Sequence, residues 1–264
     1  MNEYGVLRPV TATASVLLAE NPGVMTLEGT NTWVLRAAGS VGCVVVDPGP
    51  LDHAHLDRIA ACGPVEVVLL THGHPDHSEG AAAFGRKVDA PVRSVDPVFR
   101  LGGEGLTHDE VIVAGGVDIR VIRTPGHTAD SVCFALDDAV LTGDTILGRG
   151  TTIVAHPDGK LGDYLASLRL LAGLPAGVAA LPGHGPVLPD VAAAATGYLA
   201  HREQRLTQVR AAVAELGGAP TAREVVEVVY ADVDRALWPA AEWSVRAQLD
   251  YLGVQTDVRR GTTR

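Results

Sequence analysis

The heptapeptide Thr71-His72-Gly73-His74-Pro75-Asp76-His77 carries three histidines and a carboxylate within six residues. Neutral imidazole and carboxylate are the ligand types that hold zinc or iron, and the absence of cysteine argues against a closed structural zinc site. Three later turns, Pro125-Gly126-His127, Thr142-Gly143-Asp144 and Pro182-Gly183-His184, each place one such group behind a glycine. Glycine lets the backbone bend sharply enough for a side chain to turn towards a common point. One histidine in a glycine-rich turn is ordinary surface chemistry, whereas four such turns in one chain read as convergence. The seven candidate metal ligands are therefore His72, His74, Asp76, His77, His127, Asp144 and His184. Seven groups exceed one tetrahedral ion and suit two ions that share a bridging carboxylate. A hydroxide held between two cations forms near neutral pH and attacks a carbonyl carbon or a phosphorus. Asp76 is the candidate catalytic proton acceptor beside it.

Each group stands where a strand should end. Residues 65–70 form an apolar run that reads as a buried parallel strand, and residues 78–84 read as the start of a helix. Open α/β sheets place ligands at this carboxyl end. Strands are also expected at 14–19, 31–35, 43–46, 91–95, 111–113, 117–122, 132–136, 139–141 and 178–181, with helices at 51–62 and 161–171. Hairpins precede the first helix, so the opening lacks the strict alternation of a doubly wound fold. Asp47 closes the strand at 43–46, either as an acceptor for a ligand imidazole or as the cap of its own Asp-Pro-Gly turn. His53, His55 and His108 read as surface residues, and His156 as a surface or cleft residue. Asn31 and Thr152 are candidate substrate contacts at the cleft rim. Arg202 and Arg205 are expected to pair with acids of their own helix in solvent, or to meet a phosphate.

The chain has 264 residues, a formal net charge of −10 and 47% apolar residues. That is enough for one large domain and one small one. Residues 200–264 carry nine basic and nine acidic side chains, so the negative charge lies in the first 199. An acidic body disfavours non-specific polyanion binding but leaves room for a local basic groove. No apolar run is long enough to span a bilayer, and the first residues do not read as a signal peptide. The three cysteines, Cys43, Cys62 and Cys133, form no motif and fit reduced thiols in a cytoplasmic protein.

The composite pattern, H-x-H-x-D-H followed by His127, Asp144 and His184, resembles the metallo-β-lactamase superfamily over roughly residues 10–190. The resemblance implies an α/β four-layer αβ/βα sandwich. It implies one zinc on His72, His74 and His127, a second on Asp76, His77 and His184, and Asp144 as the bridge. Manganese or iron(II) also suit such a set. Asp144, where true β-lactamases carry cysteine, resembles the hydrolase branches. His74 stands where flavodiiron proteins carry glutamate.

A narrower resemblance is to the β-lactamase-like protein 2 family, whose animal members are endoribonucleases. It rests on Gly29-Thr30-Asn31-Thr32-Trp33, on residues 143–152, on Pro182-Gly183-His184-Gly185-Pro186 and on the Y-L-A-H-R-E-Q-R run at 198–205. It implies a catalytic domain at 1–199 and a small winged-helix-like domain at 200–264, with helices near 203–216, 222–229 and 242–252 and a wing at 253–260. The implied function is a dinuclear zinc hydrolase with a bridging hydroxide, first as a single-stranded RNA endoribonuclease. The alternative is a glyoxalase II-like thioesterase or other small ester or lactone hydrolase. Two further classes are compatible with the sequence: a nucleic-acid docking module with a bystander metal, and a mononuclear iron dioxygenase. The expected partner is a small ester or a single-stranded RNA, with no membrane; the oligomeric state is open.

Overall fold

A computed structural model describes residues 4–217 and 219–254. The first sheet holds β1 (Arg8–Pro9), β2 (Ala14–Leu18), β3 (Asn31–Leu35), β4 (Cys43–Val46), β5 (Val65–Leu69) and β6 (Val92–Arg93), adjacent in chain order. The second holds β7 (Val111–Ala114), β8 (Val117–Arg123), β9 (Val132–Ala135), β10 (Ala139–Gly143) and β11 (Ala179–Pro182), in the order β11-β10-β9-β8-β7. Hairpin partners run antiparallel. The pairs β4–β5, β5–β6 and β10–β11 are parallel, because a longer connection separates each.

The two sheets face one another. Val44 and Val46 of β4 join Trp33, Ile119, Phe134 and Leu141 in the core between them. Their alternate neighbours Cys43 and Val45 point the other way, onto Leu56 and Ile59 of α1 (His53–Ala60) and Phe84 of α3 (Ala81–Val88). The single-turn α2 (Pro75–Ser78) lies between them in the chain. The outer face of the second sheet is covered by α4 (Leu161–Ala172) and the first half of α5 (Val191–Leu216). Strands buried on both faces explain why 43–46 and 65–70 read as unbroken apolar runs. The four layers are those the sequence resemblance implies.

The remainder of α5 packs with α6 (Ala222–Val229) and α7 (Trp238–Tyr251) around Val209, Val225, Val226, Trp238 and Val245. Thr221 and Glu224 form a capping box at the start of α6, satisfying backbone donors reciprocally. One unbroken helix, α5, crosses the expected 199/200 division. The expected wing at 253–260 lies outside the described residues from 255 onward. Among the described residues, no helix is long and apolar enough to cross a membrane.

Candidate metal centre

The carboxyl ends of β5, β8, β10 and β11 meet at one rim of the facing sheets. Their loops bring the seven expected side chains together. Ligand atoms of His72, His74 and His127 lie within 4.8 Å of one another, as do those of Asp76, His77 and His184. A third such group, His72, His77 and Asp144, joins the two triads. The Asp144 carboxylate lies 3.4 Å from His77 Nε2, 3.8 Å from His127 Nε2 and 3.5 Å from His184 Nε2, between the triads. Close approach needs a residue without a side chain: a Cβ at Gly183 would lie 2.6 Å from both Asp144 Oδ1 and His77 Cε1.

The hydrogen bonds behind the histidines fix which ring nitrogen faces inward. His127 Nδ1 lies 2.6 Å from Ile153 O and His184 Nδ1 lies 3.0 Å from Gly29 O. A carbonyl only accepts, so each Nδ1 carries the proton and donates. His77 Nδ1 lies 2.8 Å from Asp47 Oδ2 and donates likewise. In the neutral rings, each Nε2 is then a bare lone pair aimed at the centre. His77 Nε2 and His184 Nε2 stand 3.1 Å apart, and His127 Nε2 lies 2.9 Å from His74 Nδ1. The lone pairs of His77 Nε2 and His184 Nε2 repel at that distance unless a cation or a proton comes between them. Buried Asp144 Oδ1 also has no hydrogen-bond partner. This donor set fits metal ions.

Protein charges show the same demand. Burial disfavours charge on His184, yet Asp144 and the bonds to Asp144 and Asp76 outweigh it, raising its pKa to about 9. His77 is raised in the same way by Asp144 and Asp47, against burial. Burial lowers His127 to about 4 and takes His72 well down. Without metal, the protons would collect on the Asp76 side of the cluster, where the carboxylates lie.

Asp47 takes the role of imidazole acceptor. Its Oδ1 accepts from Thr71 N at 2.8 Å and its Oδ2 from Thr71 Oγ1 at 2.6 Å, besides His77. Thr152 lines a cavity of about 330 Å³ that opens from His127 and Asp144 towards α5 and α7. Its Oγ1 lies 3.3 Å from His127 Nδ1. Asn31 sits behind the His184 loop, where its Nδ2 donates to Pro182 O and Gly185 O.

Two readings of the sequence are corrected. His55 is buried, with Nε2 at 2.9 Å from Thr32 Oγ1, because α1 turns residues 55, 56 and 59 inward. Arg202 and Arg205 make no ion pair among the described residues. Buried Arg202 donates to Thr152 O and stacks on Tyr164, and Arg205 stacks on Tyr230. His53 and His108 are exposed, and half-buried His156 is not among the cavity-lining residues.

These features agree with the comparisons. Residues 25–184 match the metallo-beta-lactamase superfamily, and residues 221–262 match the beta-lactamase associated winged helix domain. The chain belongs to the metallo-beta-lactamase superfamily and is a hydrolase of that class with a C-terminal winged-helix domain. It is 32% identical to a beta-lactamase-like protein 2 homolog of Drosophila melanogaster, over 95% of this chain and 91% of that one. It is 30% identical to an atrochrysone carboxyl ACP thioesterase of Aspergillus fumigatus, over 81% of this chain and 72% of that one. In fold it is similar to a beta-lactamase domain protein from Burkholderia ambifaria, with a TM-score of 0.81 at 22% identity, covering 96% of this chain and 89% of that one.

Proposed function

We propose that the protein is a dinuclear zinc hydrolase of small esters or thioesters. The observation that carries this reading is the cavity. It leads directly from His127 and Asp144 and is walled by apolar side chains, Met25, Leu27, Leu147 and Leu237 among them. Such a wall fits an acyl chain better than a string of phosphates. His72, His74 and His127 would hold one ion, Asp76, His77 and His184 the other, with Asp144 between. When bound, the ions supply an acidic water at neutral pH and compensate negative charge on the acyl oxygen.

The chain's own groups do the rest. Asp76 is partly open to solvent, and its carboxylate is held 3.1 Å from His184 Nε2. It accepts the proton of the attacking water as oxygen adds to the acyl carbon, then returns it to the departing alkoxide or thiolate. The bond to the leaving group breaks and a carboxylic acid remains. Asp47, Ile153 O and Gly29 O hold the Nδ1 protons of His77, His127 and His184 on the outward side, so that Nε2 is the nitrogen each ring offers to a metal.

RNA cleavage is the second reading, favoured by similarity to a beta-lactamase-like protein 2 homolog along 95% of the chain. Against it, Tyr230, the one tyrosine, tryptophan or phenylalanine among the cavity-lining residues, is already covered by Arg205. The acidic net charge works in the same direction. Zinc-loaded protein should therefore be offered an acyl thioester and labelled single-stranded RNA side by side. Thioester hydrolysis that disappears in a folded Asp76→Ala variant is expected; RNA cleavage without thioester hydrolysis overturns the order.

A further inference from the structure

Helix α5 brings a cluster of basic side chains to the cavity. His201, Arg202 and Arg205 all line it. Arg202 is 3% exposed, its Nη2 donates to Thr152 O, and its guanidinium lies 5.2 Å from the Tyr164 ring centre. Its Nε has no partner, nor does the buried His201 Nδ1. Arg205 is fixed over the Tyr230 ring at 4.6 Å and donates to Val229 O at 3.2 Å. Nearby Arg149, also on the cavity, is paired with Glu28 at 2.5 Å. In a chain with 31 acidic residues, Arg202 and Arg205 form no ion pair with any of them among the described residues.

Two fixed cations on one helix, without a counter-ion and with a buried donor unmet, are costly unless something anionic completes them. Apolar walls beside them set the rest of the ligand. We infer that α5 forms an anion subsite, and that the substrate is amphipathic: an apolar chain bearing a carboxylate or phosphate that docks on Arg202 and Arg205. This rests on the reading of the cavity as the substrate site. It makes Arg205 and Arg202 specificity-determining residues and gives the C-terminal domain a part in substrate choice.

The test is calorimetric titration of the zinc-loaded full-length chain with octyl phosphate, nonanoate and 1-octanol. At least one anion should bind tenfold or more tightly than octanol. Arg205→Gln, at a half-buried position, should cut that preference at least fivefold, and Arg202→Lys, which keeps the charge, should retain more of it than Arg202→Met. Stronger binding of octyl phosphate assigns a phosphate monoester, and stronger binding of nonanoate assigns a carboxylate. Anions no tighter than octanol, or a preference that survives Arg205→Gln because the anion sits elsewhere, overturns the proposal. Displacement of the bound probe by an equimolar single-stranded oligoribonucleotide overturns it too. Turnover of the uncharged S-octanoyl-N-acetylcysteamine tests hydrolysis separately, so either reading can fail without the other.

Discussion

Asp47 Oδ2 stands 2.8 Å from His77 Nδ1, and the same carboxylate holds Thr71 by two further hydrogen bonds. One buried side chain therefore fixes both the tautomer of an inward histidine and the loop that carries His72. Asp47 has φ 52°, a left-handed conformation that asparagine also tolerates. Asp47→Asn should keep the turn but lose the charge behind His77. Metal affinity should fall about 10- to 100-fold, measured by competition with a chromogenic chelator. Unchanged affinity would mean that Asp47 only shapes its turn.

Gly183→Ala tests how tightly the ligands are packed. The added methyl carbon would lie 2.6 Å from Asp144 Oδ1 and His77 Cε1, so one of them must move. Metal content should drop sharply while far-ultraviolet circular dichroism stays native. Full metal occupancy in this variant would show that the rim gives way easily.

Phe84 is fully buried in the outer layer, where α3 meets the first sheet. Phe84→Ala should cost about 3–5 kcal/mol of stability in urea unfolding. A cost near 1 kcal/mol would mean that the outer layer collapses around the gap.

His55 gives the stability a pH dependence of its own. Burial lowers its pKa to about 4, below the ordinary value of 6.5, and its Nδ1 has no partner. The unfolded chain takes up this proton first as pH falls. The contribution is thus complete above about pH 6.5 and is lost towards pH 4, at most on the order of 3 kcal/mol. His55→Gln should flatten the fall in urea-unfolding free energy across that window. Parallel curves for the two proteins would contradict the assignment.

The ligands were legible because His72 to His77 form one dense cluster behind an apolar run, and His127, Asp144 and His184 each follow an apolar run and a glycine, local signals that mark strand ends. The four layers came only with the resemblance to the superfamily, since apolar runs mark buried strands without saying how layers stack. His55 was missed although its spacing from Leu56 and Ile59 puts it on the inner stripe of α1; its polarity hid the pattern. Arg202 stands four residues from both Tyr198 and Leu206, a spacing that signals the buried face of α5. What no local pattern holds is the absence of an acid opposite Arg202 and Arg205, since that depends on which elements meet across the cavity. The two-residue strand Arg8–Pro9 is exposed and too short to show a period.

The central claim is that seven side chains from four strand ends hold two ions. Plasma emission spectrometry on protein saturated with zinc and then gel-filtered tests it most directly. Two zinc ions per chain are predicted, falling to one or none in Asp144→Ala. A wild-type chain that leaves the column with no zinc, or whose zinc content ignores that substitution, would contradict the account.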